Sequence, residues 1–217
     1  KSLRTKLEIE RLKSQIAPHF LINCLFLLQN LAETGYGDSE IFSNLVKCLS
    51  EHLRYSLSDE ERVSLKKELH YVENYICLNR IRFPFSLQYE ISGDDDILDA
   101  QIPILLILML TENTIKHNAL AGKELEITVR YCCCEKLGQR WIRLLHVDTG
   151  KGFPEKVLEN FNTGQRRETK GGKYIGLYNV MKRLKLLSGE AQIRLYNKVG
   201  AVVEICMPYV KSVEAKD

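Results

Sequence analysis

The chain has 217 residues, of which 45% are hydrophobic and 27% are charged, a balance typical of folded globular proteins. At roughly 150 residues per domain, this length allows one large domain or two small ones. The 31 basic and 28 acidic side chains leave a net charge of only +3. Dedicated nucleic-acid-binding proteins usually carry a stronger basic excess, so we expect no nucleic acid among the partners.

Membrane spans and leader peptides are not indicated by the sequence. The longest apolar run, residues 104–110, is far shorter than the ~20 residues that cross a bilayer. No charged-then-apolar leader opens the chain, which begins inside a segment with a helical pattern. We therefore expect a piece of a longer protein.

Seven cysteines, an odd number without any CxxC pair, indicate a reducing compartment and not a disulfide scaffold. Three of them are consecutive, at positions 132–134. Neighbouring strand residues point to opposite faces, so at most Cys132 and Cys134 could face together, and no histidine follows at ligand spacing. We interpret the cysteines as buried thiols and not as a metal site.

Up to residue 82 the pattern is helical. Apolar residues from Leu12 to Leu31 recur every three or four positions, and the glycines at 35 and 37 end this first helix. Asp38 or Ser39 can cap a second helix, and a third is predicted over residues 64–82. The second helix carries on one side Ile41, Leu45, Cys48, Leu49, His52 and Leu53. A helical hairpin cannot bury so wide an apolar face alone, which predicts a homodimer.

From residue 83 onward strands and helices alternate. Strands are predicted over residues 86–91, 126–134, 141–147, 192–196 and 201–207, and helices over 104–118, 154–161 and 175–187. Residues 162–174 are polar, basic and glycine-containing, as in a loop. The fold class is therefore α+β, with a helical domain over residues 1–82 and a mixed α/β domain over 83–217.

The first candidate for chemistry is His19, which follows a proline inside the first predicted helix. Proline in a helix interior costs ~3 kcal/mol and frees a carbonyl. His19 falls at the edge of the apolar stripe, with Asn23 one turn further on. A neutral imidazole nitrogen near pH 7 can act as a nucleophile. The alternative is a surface or interface histidine without a chemical role.

A second candidate lies at the end of the helix predicted over 104–118, where Asn113, Lys116 and His117 share one face. An amide oxygen suits Mg²⁺, while lysine and histidine suit phosphate oxygens. The alternative is a helix terminus whose cations complement the helix dipole, which explains Lys116 and His117 but not Asn113.

Two glycine-containing segments complete the set. Asp148, Gly150 and Gly152 form a DxGxG turn after a strand, where glycines allow close approach of a flat ligand and a carboxylate can accept from an exocyclic amine. Further on, Gly176 and Leu177 begin a helix after a basic loop, and backbone N–H groups at a helix start bind phosphate. Each pattern alone is weak.

In chain order, the four motifs read PHFLIN, ENTIKH, DTGKG and a glycine-rich segment ending in IGLYNV. This order resembles that of the bacterial sensor histidine kinases, in particular the YesM/LytS-like subclass. The resemblance covers residues 12–208. It implies a dimerisation and phosphoacceptor domain, a helical hairpin over residues 1–82, followed over 83–217 by a GHKL-type (Bergerat) ATP-binding α/β sandwich with helices on one face of a mixed sheet.

The function that this resemblance implies is ATP-dependent autophosphorylation of His19, followed by phosphotransfer to an aspartate in the receiver domain of a response regulator. Asn23 matches a position that in related kinases helps to remove phosphate from that regulator. The charged amphipathic lead-in over residues 3–13 would continue a signalling helix. The chain would then be the cytoplasmic portion of a homodimeric, membrane-anchored sensor.

The resemblance also assigns roles in the second half. Asn113 would coordinate Mg²⁺, Lys116 and His117 would lie near the phosphates of ATP, and Glu112 would orient or deprotonate the attacking imidazole.

Asp148 would bind the adenine amine in a pocket shaped by Gly150 and Gly152. Gly176 and Leu177 would start the helix under the phosphates, and residues 162–174 would form a mobile lid.

Two of the departures from the family pattern bear on the activity. Met109 stands four residues before Asn113, where the hydrolysing relatives of this fold carry an acidic base, which favours a phosphotransferase over an ATP hydrolase. Tyr174 stands in the lid where a glycine is common, and it cannot use the backbone angles open only to glycine. Tyr174 either stacks on the nucleotide or caps the lid. It favours the alternative of a catalytically silent, dimeric ATP-binding signalling module.

Overall fold

A computed structural model describes residues 18–35, 39–82, 87–118, 124–162 and 175–211, with the side chains of 18–23, 81, 82, 162 and 175 left out of the description. The first half contains three helices, α1 (Pro18–Glu33), α2 (Glu40–Ser56) and α3 (Leu65–Arg82). The residues before Pro18, where we predict the helix to begin, lie outside the described part. Ser39 caps α2, since its Oγ accepts a hydrogen bond from the N–H of Phe42 at 3.2 Å.

The buried face of α2 overlaps in part with the predicted apolar side. Its buried residues are Leu45, Leu49, His52 and Tyr55, because α2 packs between α1 and α3. Ile41, on the apolar side predicted for this helix, is 55% exposed in the single chain.

The second half is built on a five-stranded sheet of mixed direction. Its strands are β2 (Leu87–Gly93), β4 (Leu125–Lys136), β5 (Gln139–Asp148), β7 (Ala201–Pro208) and β6 (Gln192–Asn197), in this spatial order. β2 and β4 are parallel, and the other pairs are antiparallel. A separate ribbon, β1 (Arg62–Ser64) with β3 (Gln101–Pro103), was not predicted, because three residues are too few to show an alternating pattern.

One face of this sheet is covered by helices. These are α4 (Leu106–Asn118), α5 (Glu155–Asn162) and α6 (Ile175–Leu187), of which α4 and α6 pack against each other. Along β4, Ile127 and Val129 are buried under the helices, whereas Glu126 and Arg130 on the opposite face are exposed. The α+β class, with helices on one face of a mixed sheet, is thereby confirmed.

The cysteines are less buried than we predicted. Cys24 is fully buried, Cys77 is exposed, and the three consecutive cysteines of β4 are half-buried free thiols. Among the described residues, no group of three or more His, Cys, Asp or Glu side chains is arranged to hold a metal ion.

The third helix is fixed to the segment that precedes α4. The N–H groups of Leu65 and Lys66 donate to the carbonyls of Ala100 and Leu98 at 2.9 and 2.8 Å. Residues 83–86 lie outside the described part, so the domain division at residue 83 stays a prediction. None of the described helices is long and apolar enough to span a membrane.

Candidate functional site

A cavity of about 240 Å³ opens between α4, the end of β5 and the start of β7. Five of the residues singled out in the sequence line it: Asn113, His117, Asp148, Gly152 and Leu177. The volume, measured among the described residues, is somewhat below the roughly 300 Å³ at which ligand sites usually begin, and it suits a flat heterocycle.

Asp148 is the buried acid of the cavity, with a side chain that is 2% exposed. Its Oδ1 accepts hydrogen bonds from the N–H groups of Gly150 and Ala201, at 2.8 and 3.0 Å. Its Oδ2 accepts one from the hydroxyl of Thr114 at 3.1 Å. A carboxylate offers about four lone-pair positions, so one acceptor position of Oδ2 remains for a ligand.

The turn after β5 is tied to the end of α4. The amide of Asn118 donates to the carbonyl of Thr114 at 2.9 Å and accepts from the N–H of Lys151 at 3.0 Å. A Cβ on Gly150 would come within 2.3 Å of the Asn118 side chain, so this contact requires glycine. The turn is therefore held rigidly beside the cavity.

Asn113 lies on the cavity wall directly against the start of α6. A Cβ on Gly176 would come within 2.5 Å of the Asn113 Oδ1 atom, so Asn113 leaves no room for a side chain at position 176. The buried Nδ2 atom of Asn113 has no hydrogen-bond partner among the described residues. This NH₂ group is thus available as a hydrogen-bond donor to a ligand, and the amide oxygen is of the type that binds Mg²⁺.

Glu112 points away from the cavity, toward α2. Its Oε1 atom lies 3.7 Å from Nε2 of His52, and its side chain is 15% exposed. Burial raises the pKa of Glu112 to about 7, against the lowering influence of the Lys116 charge. A carboxyl group with such a pKa is suited to accept and release protons near neutral pH.

The remaining predicted residues lie at or outside the cavity. His117 is exposed on its rim, while Lys116 is exposed outside the lining. Of His19 and Asn23 the structure describes only the backbone, in the first two turns of α1. Tyr174 lies outside the described residues. The roles assigned to these residues stay predictions.

The sequence reasoning missed several lining residues, among them Thr114, His146, Lys151, Phe153 and Ala201. Two of them could have been found. His146 is two residues before Asp148 on the same strand face, and Thr114 follows Asn113. Burial lowers the pKa of His146 to about 4, so it is neutral at pH 7, with Nε2 3.3 Å from the hydroxyl of Thr111.

Comparison with known proteins assigns both halves of the chain to family models. Residues 99–211 match the model described as histidine kinase-, DNA gyrase B- and HSP90-like ATPase. Residues 7–87 match the model described as histidine kinase.

Two curated relatives match nearly all of the chain. Sensor protein LytS of Oceanobacillus iheyensis is 30% identical over 215 residues, which cover 96% of this chain and 36% of that protein. Sensor histidine kinase YpdA of Escherichia coli is 35% identical over 194 residues, which cover 88% of this chain and 32% of that protein. The chain thus spans about a third of the length of these relatives.

A solved structure of a bacterial phosphotransferase has the same fold. It aligns with a TM-score of 0.52 at 10% identity, covering 95% of this chain and 97% of that one. At this low identity the likeness concerns the fold alone.

Proposed function

The chain belongs to the histidine kinase-, DNA gyrase B- and HSP90-like ATPases, joined to a histidine kinase segment, and we propose that it is the kinase core of a sensor histidine kinase. In this proposal it transfers the γ-phosphoryl group of ATP to His19. The phosphoryl group then passes to an aspartate of a response-regulator receiver domain.

One observation carries the proposal: the buried carboxylate of Asp148 and the amide of Asn113 line the same cavity, each with hydrogen-bonding capacity to spare. Asp148 fits the exocyclic amine of adenine, because Oδ2 keeps an acceptor position beside its bond from Thr114. The oxygen of Asn113 fits a hydrated Mg²⁺ held between the protein and the phosphates. The residues present therefore suit Mg·ATP.

Most of the work in phosphoryl transfer is positioning and charge neutralisation. Asn113 would hold Mg²⁺, which would supply positive charge to the phosphate oxygens; the ammonium of Lys116 would add to that charge, and the ring of His117 would donate a hydrogen bond. Asp148 would fix the base beside Gly152, which lines the same cavity, whereas Gly150 acts behind the cavity by donating its N–H to Asp148.

In the transfer step, an imidazole nitrogen of His19 forms a bond to the γ-phosphorus as the bond from that phosphorus to the β–γ bridging oxygen breaks. ADP leaves with the electron pair. Glu112 accepts the proton that the other ring nitrogen of His19 gives up. For this, Glu112 has to leave the side of His52 that it occupies in the structure.

The helical half supports a homodimer as the working form. Leu25 and Phe26 on α1 are 53% and 60% exposed, and Ile41 on α2 is 55% exposed. Apolar side chains on the same hairpin fit a second copy of that hairpin. Asn23 would assist removal of phosphate from the regulator, and the full-length protein would be anchored in the membrane with this part in the cytoplasm.

The test is incubation with Mg²⁺ and γ-labelled ATP. We expect acid-labile, alkali-stable label in the wild type and none in His19→Gln or Asn113→Asp. His70→Gln, which changes a histidine with a 59% exposed side chain, is the matched control and should keep the label. Calorimetric ADP binding without labelling would favour the silent signalling module, and label retained in His19→Gln would refute the assigned phosphoacceptor.

A further inference from the structure

Glu68, in the first turn of α3, is a carboxylate with no exposed surface. Its Oε1 accepts hydrogen bonds from the N–H groups of Ile107 and Leu108, at 2.9 and 3.0 Å. Its Oε2 accepts from the N–H of Leu105 at 2.9 Å and from the hydroxyl of Tyr55. Four donors therefore occupy the four acceptor positions of one side chain.

The three N–H groups bound by Glu68 lie at the start of α4. The first N–H groups of a helix have no partner within the helix and are usually satisfied by a capping side chain. Leu105, which precedes α4, has no polar side chain and a φ of 62° in the left-handed region. Glu68 supplies the missing cap from another helix, and its negative charge also complements the helix dipole.

A second helix brings a positive charge near the same carboxylate. Arg183 of α6 is 2% exposed. Burial raises the pKa of Glu68, and the hydrogen bonds from Leu108, Tyr55 and Leu105 and the charge of Arg183 offset part of that rise. Nη1 of Arg183 lies 3.6 Å from Sδ of Met109 on α4. Glu68 of α3 thus bonds directly to α2 and to the start of α4, and Arg183 places the charge of α6 against α4 beside it.

The far end of α4 carries the nucleotide site. Asn113 lies seven residues beyond Leu106, which at 1.5 Å per residue is about 10 Å along the same rigid helix. There it packs against Gly176 without room for a Cβ. A displacement of the helix start would therefore reach Asn113 and Glu112, and a shift of about 1 Å in a reactive site can cost about a hundredfold in rate.

We propose that Glu68 is a positioning residue that sets the place of α4 along its axis, and with it the places of Glu112 and Asn113 at the nucleotide site. The inference rests on the proposed function, since it assumes that this end of α4 binds Mg·ATP. Tyr55 extends the same contact to α2, in the half of the chain that contains His19.

Two near-isosteric variants separate positioning from stability. Glu68→Gln places an amide NH₂ among the backbone donors, so at least one N–H of α4 loses its acceptor and the helix start has to move. Tyr55→Phe removes only the hydroxyl donor and leaves all three N–H bonds to α4 in place. Both variants are expected to lower the melting temperature.

Calorimetric titration with Mg·ADP is the first readout. Glu68→Gln should raise the dissociation constant by about tenfold, and Tyr55→Phe should leave it within about twofold. A merely structural role for Glu68 would reduce the fraction of folded protein, and so the number of binding sites per chain, at an unchanged dissociation constant. That result would overturn the inference.

Hydrogen exchange of the backbone amides of residues 110–118 is the second readout, and it needs no nucleotide. Faster exchange there in Glu68→Gln but not in Tyr55→Phe supports positioning, and equal exchange in all three proteins refutes it. A wild type that binds no Mg·ADP would refute the proposed function, and hydrogen exchange would still test whether Glu68 positions α4. If Glu68→Gln does not fold, Glu68→Asp, which keeps the charge on a shorter side chain, takes its place.

Discussion

Replacing Asp148 by asparagine tests the nucleotide site most directly. Oδ1 accepts two backbone N–H groups, from Gly150 and Ala201, so the amide oxygen of the variant has to take this position. Its NH₂ group then takes the position of Oδ2, facing the cavity and the hydroxyl of Thr114, which can turn to accept from it. The exocyclic amine of adenine would meet a donor where the wild type has an acceptor.

The expected loss follows from that single bond. A hydrogen bond to a charged group contributes about 1.5–3 kcal/mol. At 1.4 kcal/mol per factor of ten, the dissociation constant of Mg·ADP should rise by about 10- to 150-fold in Asp148→Asn. Inosine diphosphate has a carbonyl oxygen in place of the amine, so the variant should lose less affinity for it, or gain some.

Isothermal titration of both nucleotides into both proteins checks this prediction. Asp96→Asn is the matched control, because the Asp96 carboxylate pairs with Arg140, its side chain is 62% exposed and it does not line the cavity. It should leave both affinities unchanged. A folded Asp148→Asn protein that binds ADP within about twofold of the wild type would refute the assignment of Asp148 to the base.

Three further predictions concern the site, its pH dependence and the dimer. Gly176→Ala places a Cβ within 2.5 Å of Asn113 Oδ1 and should lower labelling of the protein from Mg·ATP at least about tenfold. The control Gly189→Ala, whose Cβ would have its nearest neighbour 4.0 Å away, should leave labelling unchanged. Equal labelling of the two variants would contradict the close packing of Gly176 against Asn113. The pKa of His146 is lowered to about 4, so its contribution to stability is complete above pH 6.5 and is lost as the pH falls toward 4. In urea titrations, the difference in unfolding free energy between wild type and His146→Gln should shrink by about 2 kcal/mol from pH 7 to pH 5. A constant difference would argue against a buried neutral imidazole. Phe26→Glu should dissociate the dimer in sedimentation experiments, and an unchanged sedimentation coefficient would exclude this part of α1 from the interface.

Secondary structure was largely predictable because hydrophobic periodicity is a local signal. The helix predicted over residues 64–82 is α3 (Leu65–Arg82), and the strand predicted over 141–147 is the centre of β5 (Gln139–Asp148). The periodicity of α2 placed Ile41 on the same side as Leu45 and Leu49, and the structure buries the latter two but leaves Ile41 exposed. Which side of a helix is covered depends on its neighbours, and a single segment does not record them.

The candidate site was predictable where its residues belong to short motifs. Asn113 and Asp148 come from separate motifs, 35 positions apart in the sequence, and the structure brings them to one cavity. The sequence did not reveal that Thr114 bonds to Asp148, or that Glu112 lies beside His52 at a pKa raised to about 7. These features arise from burial and from pairing across elements.

The sequence by itself determined the α+β class, the order of the longer helices and strands and the kinase family, because all three follow from local periodicity and from motifs in a fixed order. Only the tertiary structure decided how α4 begins. No residue next to Leu105 can cap it, and the cap comes from Glu68, between 37 and 40 positions earlier in the chain. A buried carboxylate can hold three backbone N–H groups of a distant helix only after packing has removed water from both, and no local sequence pattern encodes that condition.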